Sequence, residues 1–201
     1  TDDLLLVSRK GQSVRFHADD ATLRPMGRAT SGVTGMKFRG GDSLLSMSVI
    51  PDGSDPDVFV VFESGLAKRS KASEWNVKGR AILGVAVAKL SDKGGDLVGA
   101  LTVADEDEVL VVFEKGNIVR SRVDEVRLTG RNTMGVQFAK PGRGDAIVAV
   151  ARNVERESDE SEESQEAADG AESGETPDAA AAADGVPFAE KPDDESTGGQ
   201  E

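Results

Sequence analysis

Apolar residues in this chain come in short runs, and the runs recur. Residues 4–7, 58–62 and 109–113 are almost wholly apolar. Each run leads into a turn of the same make: Lys10-Gly11-Gln12-Ser13-Val14-Arg15, Ser64-Gly65-Leu66-Ala67-Lys68-Arg69 and Lys115-Gly116-Asn117-Ile118-Val119-Arg120. An uninterrupted apolar run predicts a strand buried on both faces. Beyond the turn the pattern partly alternates, with Val14 and Phe16 set against Arg15 and His17. That alternation predicts a second strand with one packed face and one charged face. The glycines at 11, 65 and 116 are expected to have positive φ, which glycine adopts without steric cost in a tight hairpin. A third apolar stretch covers 34–38, 84–90 and 135–139, and a fourth covers 43–50, 97–103 and 146–151. The fourth stretch is entered each time near a Gly-Asp pair, at Asp42, Asp96 and Asp145.

The whole unit is therefore written three times. Its clearest marker is a Gly-Arg pair, at Gly27-Arg28, Gly79-Arg80 and Gly130-Arg131, spaced 52 and 51 residues apart. A fixed period of about 50 residues with four short strands per unit and no helical periodicity predicts an all-β repeat fold of propeller-like blades. The blades are expected at about 3–56, 57–105 and 106–153. A single four-stranded unit cannot bury both faces, so neighbouring blades must cover one another. Three blades are fewer than the roughly four to eight of a closed ring, so further blades are expected before Thr1. The chain also begins inside what reads as a first strand, as a piece of a longer protein would.

Composition changes this picture at one place. Residues 1–153 carry 22 Lys+Arg against 20 Asp+Glu, a net of +2, whereas residues 154–201 carry 2 against 17, a net of −15. The overall acidity thus belongs to the C-terminal stretch and does not argue against an anionic partner for the rest. That stretch, rich in Glu, Asp, Ser, Ala and Gly, is expected to be disordered because it has too little apolar surface to offset ordering entropy. Tethered beside a basic rim, it is expected to compete with an anionic ligand. The chain has no cysteine, which removes disulfides, thiolate metal sites and thiol nucleophiles and fits a reducing cytoplasm. No apolar run approaches the roughly 20 residues of a spanning helix, so no membrane contact is expected.

The candidate chemistry is cationic. Arg28, Arg80 and Arg131 recur at one position of each blade, and the second strands supply Arg15, then Lys68, Arg69 and Lys71, then Arg120 and Arg122. Cations repeated at equivalent places suit a polyanion, because duplex DNA presents one charge per roughly 1.7 Å of axis. Two duller roles compete: the Gly-Arg arginines capping carbonyls, and the strand cations protecting an edge against aggregation. The Gly-Asp pairs lack the spacing of a calcium loop and read as turn residues. His17, the sole histidine, reads as solvent-facing. Trp75 occupies the slot of Leu23 and Val126 and reads as blade packing, as do most of the phenylalanines. The chain has no tyrosine and no hydrolase triad, P-loop or dinucleotide fingerprint in context. No catalytic, cofactor or metal site is expected.

The repeated Val58-to-Arg69 and Val109-to-Arg122 motifs, with Gly79-Arg80 and Gly130-Arg131 ahead of Gly84-Val85 and Gly135-Val136, resemble the C-terminal domain of the bacterial DNA gyrase A protein, in its actinobacterial form. The resemblance covers residues 3–153. It implies a six-bladed β-pinwheel whose blades exchange strands and whose basic rim wraps double-stranded DNA, supporting ATP-dependent negative supercoiling by a type II topoisomerase. It also implies, as partners in an A2B2 assembly, the rest of the gyrase A protein together with the gyrase B protein. ATP, magnesium and the catalytic tyrosine would lie elsewhere in that assembly, which would be cytoplasmic and nucleoid-associated. The hallmark heptapeptide Gln-Arg-Arg-Gly-Gly-Lys-Gly is absent and belongs to a first blade ahead of this chain. The corresponding C-terminal domain of topoisomerase IV therefore stays open as an alternative, as does a propeller-like protein-interaction scaffold.

Overall fold

The three apolar runs form the central strands of three sheets. A computed structural model describes residues 1–89 and 94–153. The expected disorder of residues 154–201 lies outside the described residues. In the first repeat β1 (Asp3–Ser8), β2 (Gln12–His17) and β3 (Leu44–Ile50) pair antiparallel. In the second, β4 (Asp57–Phe62) lies between β5 (Leu66–Lys71) and β7 (Leu97–Val103). In the third, β8 (Glu108–Phe113) lies between β9 (Ile118–Arg122) and β11 (Ile147–Arg152). Every residue of β4 is buried, as an unbroken apolar run requires when both faces are covered. Gly11, Gly65 and Gly116 have φ of 78°, 84° and 87°, as the hairpin reading expects.

The third strands are much shorter than the pattern suggests, and they leave their own repeat. Only Val85–Ala86 (β6) and Val136–Gln137 (β10) are extended. β6 adds to the edge of β2, and β10 adds to the edge of β5, giving sheet orders β3-β1-β2-β6 and β10-β5-β4-β7. Each repeat thus completes the sheet of the repeat before it. The expected strand at 34–38 reduces to one parallel bridge, Met36 to Ile82. The physical reason is that no preceding sheet within this chain offers that segment an edge.

The exchange is repeated atom for atom. Val87 N–H donates to the Gly11 carbonyl at 2.9 Å, and Phe138 N–H donates to the Gly65 carbonyl at 3.0 Å. Lys78 N–H donates to the Arg15 carbonyl, and Thr129 N–H to the Arg69 carbonyl. Fourth strands join repeats as well: Leu97 N–H reaches the Arg9 carbonyl, and Ile147 N–H reaches the Glu63 carbonyl. β3 packs against β7 and β7 against β11, so the fourth strands form the inner column and the exchanged strands the outer edge.

The core consists of the seams. Leu5, Val7, Val58, Val60, Phe62, Trp75 and Leu97 fill the first, and Phe59, Val61, Val109, Val111, Phe113, Val126 and Ile147 fill the second. Trp75 is buried and its Nε1 donates to Ser13 Oγ at 2.8 Å. This is the packing role expected from its correspondence with Leu23 and Val126.

Candidate nucleic-acid interface

Sandwiching a strand between two blades changes what its cations can do. Lys68 and Arg69 sit on β5 with 2% and 7% of their surface exposed. The expectation that one face of the second strand meets solvent fails here, because the exchanged strand and the next repeat cover the other face too. Lys68 Nζ donates to Ser70 Oγ at 3.0 Å and to the Arg131 carbonyl. Burial, with a smaller contribution from the nearby Arg131, pulls its pKa down to about 8.

A carboxylate opens each first strand and meets the second-strand cations across the ladder. Asp3 pairs with Arg15 at 2.7 Å and with His17 at 2.5 Å. Asp57 pairs with Lys71 at 2.6 Å and with Arg69 at 3.4 Å, while Arg69 also binds Asp105. Glu108 pairs with Arg120, and Arg122 turns to Asp124 at 2.5 Å. Hydrogen bonding to Asp57 raises the Lys71 pKa. Hydrogen bonding from Arg120 lowers that of Glu108, and hydrogen bonding with Asp124 raises that of Arg122. Arg15 also donates to the Ala72 carbonyl at 2.8 Å and lies in the seam. His17 is half exposed, as its reading as a solvent-facing residue requires.

The Gly-Arg arginines join blades. Arg80 Nε donates to the Thr22 carbonyl at 2.9 Å, and one of its terminal nitrogens to the Thr34 carbonyl at 3.2 Å. Arg131 Nε donates to the Glu74 carbonyl at 3.3 Å, and one of its terminal nitrogens donates to the Ala86 carbonyl. Thr22 and Glu74 occupy the same place, one residue before Leu23 and Trp75. Arg28 is the exposed counterpart in the first repeat. Of the nine cations expected to meet an anion, Arg15, Lys68, Arg69, Arg80 and Arg131 therefore direct their donors into the seams. Lys71, Arg120 and Arg122 keep 43%, 54% and 60% of the side chain exposed.

Another set of cations carries no such commitments. Arg24, Arg28, Lys78, Lys89, Arg127 and Lys140 are exposed. They lie on the connections from second to third strands and just beyond the exchanged strands, along the outer edge. Arg24 and Arg127 follow the equivalent Leu23 and Val126, and Lys89 and Lys140 each lie five residues after the glycine that opens the exchanged strand. Sequence reasoning missed all of these except Arg28, because they fall in irregular segments without alternation. The equal offsets of Lys89 and Lys140 from Gly84 and Gly135, and of Arg24 and Arg127 from Leu23 and Val126, were the available signal.

Two of the three Gly-Asp aspartates, Asp42 and Asp145, serve their turns through the side chain, as expected. Asp42 accepts from the Lys10 and Ser43 N–H groups at 2.9 and 2.8 Å, and Asp145 accepts from Lys115 and Ala146 at 3.2 and 2.9 Å.

The chain matches the family model described as the DNA gyrase C-terminal domain, β-propeller, over residues 2–51, 57–104 and 107–153. It is 53% identical to the DNA gyrase A protein of Streptomyces coelicolor over 161 residues, which cover 79% of this chain and 19% of that protein. It is 47% identical to the DNA gyrase A protein of a Nocardioides species, covering 89% of this chain and 23% of that protein. A solved DNA gyrase A C-terminal domain superposes with a TM-score of 0.67 at 28% identity, covering 76% of this chain and 51% of that one. The solved C-terminal domain of DNA topoisomerase IV superposes at 0.70 with 22% identity, a likeness of fold, covering 84% of this chain and 52% of that one. The chain thus spans about a fifth of the length of these gyrase A relatives and about half of the solved domains.

Proposed function

The chain belongs to the DNA gyrase C-terminal domain family, and from that premise we propose that it binds and wraps duplex DNA along the outer edge of its blades. The wrap serves a type II topoisomerase, a gyrase that introduces negative supercoils at the expense of ATP. In this reading the chain is the end of a gyrase A protein that works with a gyrase B protein in the cytoplasm. Nucleotide, magnesium and strand cleavage belong to other parts of that assembly.

One observation carries the reading: exposed cations line the outer edge of all three repeats, with Lys89 and Lys140 at the same offset in successive repeats and Arg24 and Arg127 at the same place in the first and third. A duplex following that edge gains one counterion-releasing contact after another. Arg24, Arg28, Lys78, Lys89, Arg127 and Lys140 form the primary track. Lys71, Arg120 and Arg122 join it by exchanging their carboxylate partners for phosphates, at small cost because surface ion pairs contribute only about 0–1 kcal/mol. Arg15, Lys68, Arg69, Arg80 and Arg131 hold the blades in register beneath the track.

The test separates the two groups. Replacing Arg24 and Arg127 with Ala should lower the slope of log K against log salt by about one unit per lost contact and leave the melting temperature unchanged. Replacing Arg131 with Ala should lower the melting temperature and leave the slope nearly intact. Unchanged slopes in the Arg24 and Arg127 variants would favour a scaffold that binds protein rather than DNA.

A further inference from the structure

The seam between the first two repeats holds a cavity of about 260 Å³, where the connection after β5 and the exchanged strand cross β2. Val14 and the Trp75 ring form its floor and are buried. Ile82 and Val85 form its walls, and they are 37% and 40% exposed. An apolar cavity of roughly 150 Å³ admits benzene. This one has room for a single ring with a substituent.

Most polar groups around the cavity are already satisfied. Trp75 Nε1 donates to Ser13 Oγ, and Ser13 Oγ donates to the Val85 carbonyl, each at 2.8 Å. Arg15 is held by Asp3 and by the Ala72 carbonyl. Glu74 accepts from the Arg131 N–H at 3.1 Å, and the Arg131 guanidinium is committed to carbonyls. Asn76 and Lys78 differ. Both are exposed and both line the cavity, whereas Val77 between them does not. Neither side chain has a hydrogen-bond or ion-pair partner among the described residues.

We propose that this cavity is a binding site for a small aromatic carboxylate. The ring lies against Trp75 and Val14 and covers the exposed faces of Ile82 and Val85. Aromatic rings attract one another beyond the apolar area they bury, so Trp75 favours a ring over an aliphatic group of the same size. The carboxylate accepts from the Lys78 ammonium and the Asn76 amide, a charge-assisted contact. A neutral ring would leave the ammonium without its partner. An anion without a ring would leave the apolar walls in water. Apolar walls with a few uncommitted polar groups at one side are the usual make of a small-molecule site.

The second seam supplies a comparison within the same molecule. The equivalent positions there line a cavity of only about 90 Å³. Lys68 stands in the place of Val14, Val126 in that of Trp75, and Thr129 in that of Lys78. Arg127 replaces Asn76, so a cation is still present, but the room for a ring is not. The site therefore belongs to the first seam and not to the repeat as such. It depends on a small floor residue at Val14 and a ring at Trp75.

Trp75 is the sole tryptophan of a chain without tyrosine, so protein emission reports on the cavity directly. The probe is para-iodobenzoate, whose heavy atom quenches tryptophan on contact. With the full chain and no DNA present, quenching should saturate, and benzoate should reverse it. The neutral para-iodobenzamide should bind at least tenfold more weakly. Lys78→Met, a surface substitution, should weaken para-iodobenzoate at least tenfold, and Val14→Met should abolish its quenching by filling the floor. Iodide ion should quench little, because Trp75 is buried. Quenching by para-iodobenzoate that never saturates, or that iodide ion matches, would mean collision alone and would overturn the site. Unchanged affinity in Lys78→Met would overturn it as well.

Discussion

Gly65 is the position where turn geometry and strand exchange meet, and Gly65→Ala should be among the most damaging methyl additions in the chain. Its φ of 84° lies in the left-handed region, where an L side chain costs about 1–2 kcal/mol. The added Cβ would also stand 1.6 Å from the carbonyl oxygen of Ala139 and 3.0 Å from Gln137 Nε2. The oxygen is backbone and cannot rotate away, so the exchanged segment must shift. Phe138 and Ala139 both donate to the Gly65 carbonyl, at 3.0 and 3.1 Å. Losing these two bonds costs about 0.5–1.5 kcal/mol each. The total is about 2–5 kcal/mol, a large share of the roughly 5–15 kcal/mol that holds a domain together. Gly53 is the control, because its φ is 72° and a Cβ there meets nothing within 4 Å. Gly53→Ala should cost only the left-handed penalty of about 1–2 kcal/mol. Urea denaturation of both variants gives the difference directly. Equal losses of stability would mean that the close approach of Gly65 to Ala139 contributes nothing, and would refute this reasoning about the exchange.

Lys68 should make stability pH-dependent in an unusual direction. Its folded pKa of about 8 lies below its ordinary value of 10.5. The cost of burying its charge is therefore fully present below pH 8, and stability should rise between about pH 8 and 10.5, by up to about 3 kcal/mol. Lys68→Met should flatten that rise, as read from denaturation midpoints across the range, whereas a rise of the same size in the variant would assign it to other groups. Ala81 is the one non-glycine residue among those described with positive φ, at 60°, and its counterpart in the third repeat is Asn132. Ala81→Asn should raise stability by about 0.5–1 kcal/mol, because asparagine tolerates that conformation better. A lower melting temperature would show that the methyl group itself is needed.

The repeat, its first, second and fourth strands and the positive-φ glycines were legible in the sequence because they depend on local chemistry: apolar runs, alternation and residues that turn the chain. The burial of Trp75 was legible too, through its correspondence with Leu23 and Val126. The roles of the cations were not. Arg69 and Arg122 are both strand arginines by pattern, yet one is buried between blades and the other is exposed. The difference arises from which neighbouring repeat covers each strand, and that is a long-range matter. The same holds for Arg80 and Arg131, whose carbonyl partners lie 45 to 58 residues away. The sequence by itself determined that this protein is a row of β units with cations at repeating places. Only the tertiary structure decided which of those cations hold the row together and which face outward, because strand exchange buries one repeat's second strand beneath the next.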